Sequence, residues 1–104
     1  MKQLFKTIKV SWIAPNTKLI TLNRPSSANA FNSEMATEIN NFFGNLALEK
    51  NACRAVVITG AGAKAFSAGG DLKERLGMTI ESWKNQHLIF EKMIRSIIET
   101  SFLC

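Results

Sequence analysis

Two adjacent glycines run directly into an acidic residue in the segment Ala65-Phe66-Ser67-Ala68-Gly69-Gly70-Asp71-Leu72-Lys73-Glu74-Arg75, around which the chain is organised. Glycine adopts positive φ at little steric cost, so Gly69 and Gly70 predict a sharp turn. Asp71 suits the first turn of a helix, where unpaired N–H groups and the positive dipole end favour a carboxylate. We therefore expect the Gly70 N–H to have no backbone carbonyl partner. Such a group is half of an oxyanion hole, and an ordinary glycine-rich loop is the alternative.

The residues before this segment predict two strands, a helix and a third strand. Residues 4–12 and 19–22 have the pattern of a hairpin, with turn residues between them. Residues 33–50 carry apolar side chains at spacings of three and four, which is typical of an amphipathic helix. Residues 54–59 contain a continuous β-branched run, which predicts a strand buried on both faces of a parallel sheet. This order favours a right-handed βαβ crossover and an α/β fold.

The residues after the glycine pair predict two further helices. A short helical turn is expected at 72–75, and a long helix capped by Thr79 is expected from residue 80 to about residue 100. The apolar stripe of the long helix is predicted to contain Trp83, His87, Phe90, Ile94, Ile97 and Ile98. Because His87 lies on this stripe with Glu91 one turn away, we expect a packed, hydrogen-bonded histidine rather than an acid or base.

Three motifs occur in an order that resembles the crotonase family, the enoyl-CoA hydratase/isomerase proteins. They are Ile20-Thr21-Leu22-Asn23-Arg24-Pro25 with Asn29-Ala30-Phe31-Asn32, then Arg54-Ala55-Val56-Val57-Ile58-Thr59-Gly60, and then the segment with the two glycines. The resemblance covers residues 10 to 100 approximately. It implies an α/β fold that is the N-terminal portion of a crotonase-like ββα spiral, so that residues 1–104 form a single partial domain.

The resemblance also implies an enzyme that binds an acyl-CoA thioester and stabilises its enolate during hydration or isomerisation. Gly70 is the candidate catalytic residue, through its backbone N–H. The candidate substrate- and CoA-binding residues are Ser26, Ala28, Ala30, Ala68, Gly70, Asp71, Leu72 and Lys73. Many family members carry a basic residue just after the proline, where this chain has Ser26 and Ser27, so one phosphate contact of the family is not expected there. In the family, the other oxyanion N–H and two catalytic glutamates lie further along the chain. We therefore expect the chain to be truncated before them and inactive alone.

Composition is that of a globular protein, with 46% hydrophobic and 20% charged residues in 104. The net charge of +5 comes from scattered basic residues, which argues against nucleic-acid binding; we interpret it as mostly solvated surface, with a few residues that contact the phosphates of a CoA ester. No apolar run is long enough to span a bilayer. The two cysteines lack disulfide-framework or metal-ligand spacing, so we expect a cytoplasmic protein with no metal. No cofactor is expected beyond coenzyme A as part of the substrate.

Two other function classes remain as alternatives. One is a non-catalytic CoA-binding or assembly module. The other is a dinucleotide-binding fragment, because residues 60–65 have the pattern G-x-G-x-x-A and directly follow the predicted strand at 54–59. That fingerprint must open directly into a helix, whereas residues 66–70 interrupt any such helix, so this second alternative is the less favoured one. We also expect the apolar residues of the 80–100 helix to drive homo-oligomerisation, most simply as a dimer.

Overall fold

The computed structural model describes residues 5–48, 53–62 and 66–98. The described residues form β1 (Ile8–Ala14), β2 (Thr17–Leu22), a 3-10 turn (Pro25–Ser27), α1 (Ser33–Leu48), β3 (Ala55–Gly60), α2 (Leu72–Leu76) and α3 (Ile80–Ile98). This order confirms the predicted α/β class. Of these described helices, none is both long enough and apolar enough to cross a lipid bilayer.

The described strands form one sheet in the order β1-β2-β3. β1 and β2 are antiparallel, whereas β2 and β3 are parallel, with Ile20 opposite Ile58. Antiparallel strands can be joined by a tight turn, and parallel strands need a crossover, which α1 provides here. The predicted βαβ unit is therefore present.

β1 begins and ends later than the sequence pattern predicted. The N–H groups of Lys6 and Thr7 donate to the Glu38 carboxylate, at 3.0 and 2.9 Å, and so lie outside the ladder. At the other end the strand continues to Ala14, because a two-residue turn suffices before Thr17 pairs with it. Residue 4, the predicted start, lies outside the described residues.

The hydrophobic core forms between the sheet and α1. The predicted stripe of α1 is confirmed, since all its members are buried: Met35, Ile39, Phe42, Phe43 and Leu46. They pack against inward-facing strand residues that include Ile20, Leu22 and Val56. The helix starts where expected because Asn32 Oδ1 accepts a hydrogen bond of 2.9 Å from the Met35 N–H, which caps the first turn.

The prediction that the third strand is buried on both faces is wrong. Val56 is completely buried, whereas Val57 on the opposite face is 42% exposed. Ile58 shares the face of Val56 and packs against the core. In a strand, successive side chains alternate between faces, so the β-branched run at β3 has one covered and one open face among the described residues.

α3 packs on α1 through a different face from the one predicted. Its buried residues are Gln86 and Met93, with Ile89, Phe90 and Ile97 partly buried against the core. Four members of the predicted stripe are exposed instead: Trp83, His87, Ile94 and Ile98. The His87 ring stacks on the Trp83 ring, with 5.7 Å between the ring centroids, and His87 is exposed. It has no hydrogen bond to Glu91, so the expectation of a packed, hydrogen-bonded histidine was also wrong. The buried face therefore includes one polar residue, Gln86, at its N-terminal end.

Candidate oxyanion site

The two glycines form the predicted sharp turn, and each has a separate role. Gly69 adopts a φ of +92°, which side-chain-bearing residues rarely adopt. Gly70 pairs with Phe31 in an isolated parallel bridge. The Phe31 N–H donates to the Gly69 carbonyl at 2.7 Å, and the Asp71 N–H donates to the Phe31 carbonyl at 2.9 Å. This pattern uses the neighbours of Gly70 and leaves its own N–H without an acceptor among the described residues.

Asp71 caps the short helix α2. Its Oδ1 accepts from the N–H groups of Lys73 and Glu74, at 3.0 and 3.2 Å. Its Oδ2 lies 3.0 Å from Nη2 of Arg24. The Glu74 N–H is the largest cause that lowers the pKa of Asp71 below its ordinary value of 3.8, aided by the Arg24 guanidinium and opposed by desolvation. The carboxylate is thus negative at neutral pH and holds the backbone immediately after Gly70.

The loop before α1 packs directly against the glycine turn. Ala28 and Asn29 both adopt left-handed conformations, with φ of 51° and 54°. The Ala68 N–H donates to the Ala28 carbonyl at 2.9 Å, and the Ser67 hydroxyl donates to the Asn29 carbonyl at 2.7 Å. A non-glycine residue at positive φ is uncommon, so two in succession show that these tertiary contacts determine the loop conformation.

The Asn29 side chain holds this loop from inside. It is 1% exposed. Its Oδ1 accepts from the Arg24 N–H at 2.8 Å, and its Nδ2 donates to the Ala61 carbonyl at 2.9 Å. Asparagine tolerates the left-handed region better than most residues and here provides partners for two partly buried backbone groups. The loop after β3 is therefore tied to the loop after β2.

The predicted binding residues fall into two groups in the structure. Ala28, Ala68, Gly70 and Asp71 lie together through the backbone contacts described above, with Ala30 buried beside them. The remaining members are exposed around this centre: Ser26 in the 3-10 turn, and Leu72 and Lys73 at the start of α2. The backbone groups thus converge at the turn, whereas these three side chains face solvent.

A polar cluster behind the turn, centred on Glu74, was not predicted from the sequence. The Glu74 carboxylate accepts from the N–H and hydroxyl of Ser33, at 2.9 and 3.2 Å, and also from Nε2 of Gln86. Gln86 is 3% exposed. The cluster joins the first residue of α1, the middle of α2 and the second turn of α3, which holds α2 against the other helices. The sequence signal that could have indicated the cluster is Gln86, a polar residue at helical spacing from the apolar Ile89, Phe90 and Met93.

The guanidinium of Arg75 lies against Gly70. A Cβ atom on residue 70 would be 2.6 Å from Nη2 of Arg75, so the absence of a side chain makes room for it. The Arg75 Cζ also lies 5.8 Å from the centre of the Phe90 ring. Positive charge is thus close to the free N–H of Gly70, and both favour an anionic oxygen at this position.

The structure also bears on the dinucleotide alternative. The described residues that follow β3 are not helical until α2 begins at Leu72. The fingerprint requires a helix directly after its glycines, so its geometry is not met.

Comparison with known proteins shows which family this chain resembles. A family model described as enoyl-CoA hydratase/isomerase matches residues 14–100. An enoyl-CoA isomerase/hydratase of Zymoseptoria tritici is 41% identical in an alignment 88 residues long that covers 79% of this chain and 29% of that protein. The short-chain-enoyl-CoA hydratase of Clostridium acetobutylicum is 40% identical over 67 residues, which are 64% of this chain and 25% of that protein.

Solved structures agree as well. The crystal structure of enoyl-CoA hydratase from Bacillus anthracis matches with a TM-score of 0.85 and 33% identity, over 90% of this chain and 36% of that one. The present chain spans 25% to 36% of the length of these three proteins. Its described residues therefore reproduce part of the crotonase fold, which confirms the predicted resemblance. The chain belongs to the enoyl-CoA hydratase/isomerase family, also known as the crotonase family.

Proposed function

We propose that this chain contributes the acyl-CoA-binding part of an enoyl-CoA hydratase/isomerase, in which the Gly70 N–H is one donor of an oxyanion hole. The observation that carries the proposal is the Phe31–Gly70 bridge, which engages both neighbours of Gly70 and leaves its N–H without an acceptor among the described residues. A donor held in this way needs no reorganisation when charge develops on a substrate oxygen.

The reaction explains why such a donor is useful. Addition of water to a 2-enoyl thioester, or movement of its double bond, places negative charge on the thioester oxygen in an enolate-like transition state. A hydrogen bond to that oxygen is stronger in the transition state than in the ground state, so it accelerates the chemical step. Carboxylates must also transfer protons. Glu74 is unsuited to that role, because its carboxylate already accepts hydrogen bonds from Ser33 and Gln86.

The remaining parts of the proposal concern partners and location. Coenzyme A enters as part of the substrate, bound by the two joined loops around Ala28 and Ala68, and no other cofactor, nucleic acid or membrane partner is proposed. Scattered basic residues, with a net charge of +5, suit its phosphates. The exposed apolar face of α3, with Trp83, Ile94 and Ile98, supports a homo-oligomer. A cytoplasmic location is proposed from the cysteine content of the sequence.

The test is a titration of the ¹⁵N-labelled 104-residue chain with crotonyl-CoA, free coenzyme A and NAD, followed by backbone amide resonances. We expect crotonyl-CoA to shift the Gly70 amide and both loops, and free coenzyme A to shift the loops alone, because it lacks the thioester oxygen. Loop shifts without a Gly70 shift for crotonyl-CoA would indicate a CoA-binding module without an oxyanion hole. Binding of NAD alone would overturn the proposal.

A further inference from the structure

We infer that the Arg24–Asp71 ion pair is a positioning device that fixes the direction of the Gly70 N–H. The catalytic meaning of this inference rests on the proposed function, whereas its structural content does not. Neither side chain reaches the Gly70 N–H, so both act on it through the backbone on either side.

Asp71 uses its two carboxylate oxygens for different tasks. Oδ1 caps α2, and Oδ2 faces the guanidinium of Arg24 at 3.0 Å. The side chains of Arg24 and Asp71 are 20% and 13% exposed, so water screens the pair only partly. One residue therefore starts the helix and also joins it to a distant loop.

Arg24 also uses its planar group for two tasks. Nη2 pairs with Asp71, and Nη1 donates to the Ala30 carbonyl at 2.6 Å. Ala30 directly precedes Phe31, whose backbone binds Gly69 and Asp71. The guanidinium therefore contacts both chain segments of the Phe31–Gly70 bridge, the first at the Ala30 carbonyl and the second at the Asp71 carboxylate. Its rigid fork suits such a double contact better than a lysine ammonium does.

Gly70 requires external positioning of this kind. A glycine has no Cβ to restrict its φ and ψ, and Gly69 before it is equally unrestricted. The direction of the Gly70 N–H is set by the peptide plane between these two residues. That plane is held by the bridge on one side and by the Asp71 cap on the other, and Arg24 links the two.

The experiment separates the ion pair from the helix cap. Asp71→Asn keeps an oxygen that can cap α2 but removes the charge that faces Arg24, and asparagine is a favoured capping residue. Arg24→Gln removes the guanidinium and leaves the cap untouched. Glu91→Gln is the matched control, because it removes the Arg95–Glu91 ion pair, whose side chains are 62% and 53% exposed. Circular dichroism checks folding, and Arg24→Gln alone decides the result if Asp71→Asn does not fold.

The readout is the orientation and mobility of the Gly70 N–H in the unliganded chain, from residual dipolar couplings and ¹⁵N relaxation. For the Gly70 N–H we expect an order parameter of about 0.85 in the parent chain and below about 0.6 in both variants. The residual dipolar coupling of the same N–H should also change in the variants. The amides of α1 and the control variant should remain as in the parent. The double variant should add nothing further. An unchanged Gly70 coupling and order parameter in the two variants would overturn the inference.

A second measurement distinguishes this inference from the proposed function. Crotonyl-CoA carrying a ¹³C-labelled thioester carbonyl is bound to each variant, and its carbonyl stretch is recorded by infrared spectroscopy. A hydrogen bond from Gly70 lowers this frequency in the parent chain, and we expect a smaller decrease in Asp71→Asn and Arg24→Gln. A parent chain without any decrease refutes the oxyanion proposal, while the dipolar couplings still decide the positioning role. Equal decreases in parent and variants overturn the inference and leave the oxyanion proposal intact.

Discussion

Phe31 binds the backbone on both sides of Gly70 without using the N–H of Gly70 itself. In a parallel bridge, one residue bonds both chain neighbours of its partner, and the partner's own N–H and carbonyl point away from that residue. The free N–H of Gly70 therefore follows from strand geometry and not from a special side chain. The consequence is a rigid donor that faces away from its own scaffold.

The two glycines should respond differently to alanine. Gly69→Ala forces a side chain into a φ of +92°, so we expect a loss of about 1–2 kcal/mol in the free energy of unfolding. No neighbouring atom lies within 4 Å of a Cβ placed on Gly69, so this cost is conformational. Gly70→Ala meets only the flexible end of Arg75 and should cost less than about 1 kcal/mol. Urea unfolding of both variants measures the difference, and equal losses would contradict the assignment of roles.

The Asp71 carboxylate should make stability depend on pH in a defined direction. Its pKa is lowered in the folded chain, chiefly by the Glu74 N–H and also by Arg24. Its stabilising contribution is therefore complete above the unfolded value of 3.8 and is lost as the pH falls through the lower folded value. Asp71→Asn should flatten this part of the acid limb of the stability curve. Urea unfolding between pH 7 and pH 2 tests it, and an unchanged acid limb in the variant would refute the contribution.

Removal of the α2 cap should be more costly than the loss of an exposed ion pair. Asp71→Ala takes away the acceptor of two N–H groups in α2, for which we expect a loss of about 0.5–2 kcal/mol. Glu91→Gln, which breaks an exposed ion pair, should change stability by less than about 0.5 kcal/mol. Chemical denaturation of the two variants side by side provides the comparison. A larger effect from Glu91→Gln would contradict it.

The Glu74 cluster should behave as one unit. Glu74→Ala removes the acceptor of the Ser33 N–H and one acceptor of Gln86 Nε2, which keeps its bond of 3.0 Å to Oγ of Ser33, so we expect a loss of about 1–3 kcal/mol. Because Gln86→Ala removes one of the same contacts, the double variant should lose less than the sum of the single losses. A double-mutant cycle in urea gives the coupling energy. Strict additivity would show that the two side chains act independently.

A polypeptide of these 104 residues should not hydrate crotonyl-CoA measurably. The family resemblance assigns a second oxyanion donor and two glutamates to positions outside this sequence. Loss of one such donor costs about 10²–10³-fold in rate. Loss of acid–base groups costs a further factor of about 10²–10⁴. A spectrophotometric assay measures the enoyl thioester, and turnover within a few tens-fold of an ordinary hydratase would disprove this assignment.

The exposed face of α3 should lead to self-association. Trp83, Ile94 and Ile98 are 48%, 53% and 74% exposed, and burial of each large side chain stabilises by about 1.5–3 kcal/mol. We expect a dimer in sedimentation velocity at micromolar concentration and a monomer for Ile94→Lys. Ile13→Lys is the control, because Ile13 is equally exposed on β1, at 53%. A monomeric parent chain would refute the prediction.

Sequence patterns predicted the elements whose residues repeat with a regular period. The stripe of α1 from Met35 to Leu46 follows the helical period, and the cap at Asn32 lies directly before it, so local chemistry was sufficient. The Gly69–Gly70 turn was predicted for the same reason, since glycine has a specific backbone preference. In each case the signal and its effect lie within a few residues of one another.

Contacts between polar residues far apart in the chain could not be predicted in this way. Arg24 meets Asp71, and Glu74 meets Ser33 and Gln86, only after the loops and helices have packed. Nothing periodic links these positions in the sequence. The same cluster explains the error at α3, where Gln86 lies in the buried face and the apolar Trp83 and Ile94 are left exposed.

The Phe31–Gly70 bridge also gives the site a place in the folding of the chain. The β1–β2 hairpin needs only a short turn, whereas the bridge closes a loop that contains α1 and β3. Closing a long loop costs entropy that only later contacts offset, so we expect the Gly70 donor to be formed late in folding. A ligand that requires the bridge will then bind only the folded state of the chain and not the unfolded state. It should therefore raise the melting temperature in proportion to the logarithm of the ligand concentration. Thermal shift therefore reports assembly of the two segments as well as occupancy of the site.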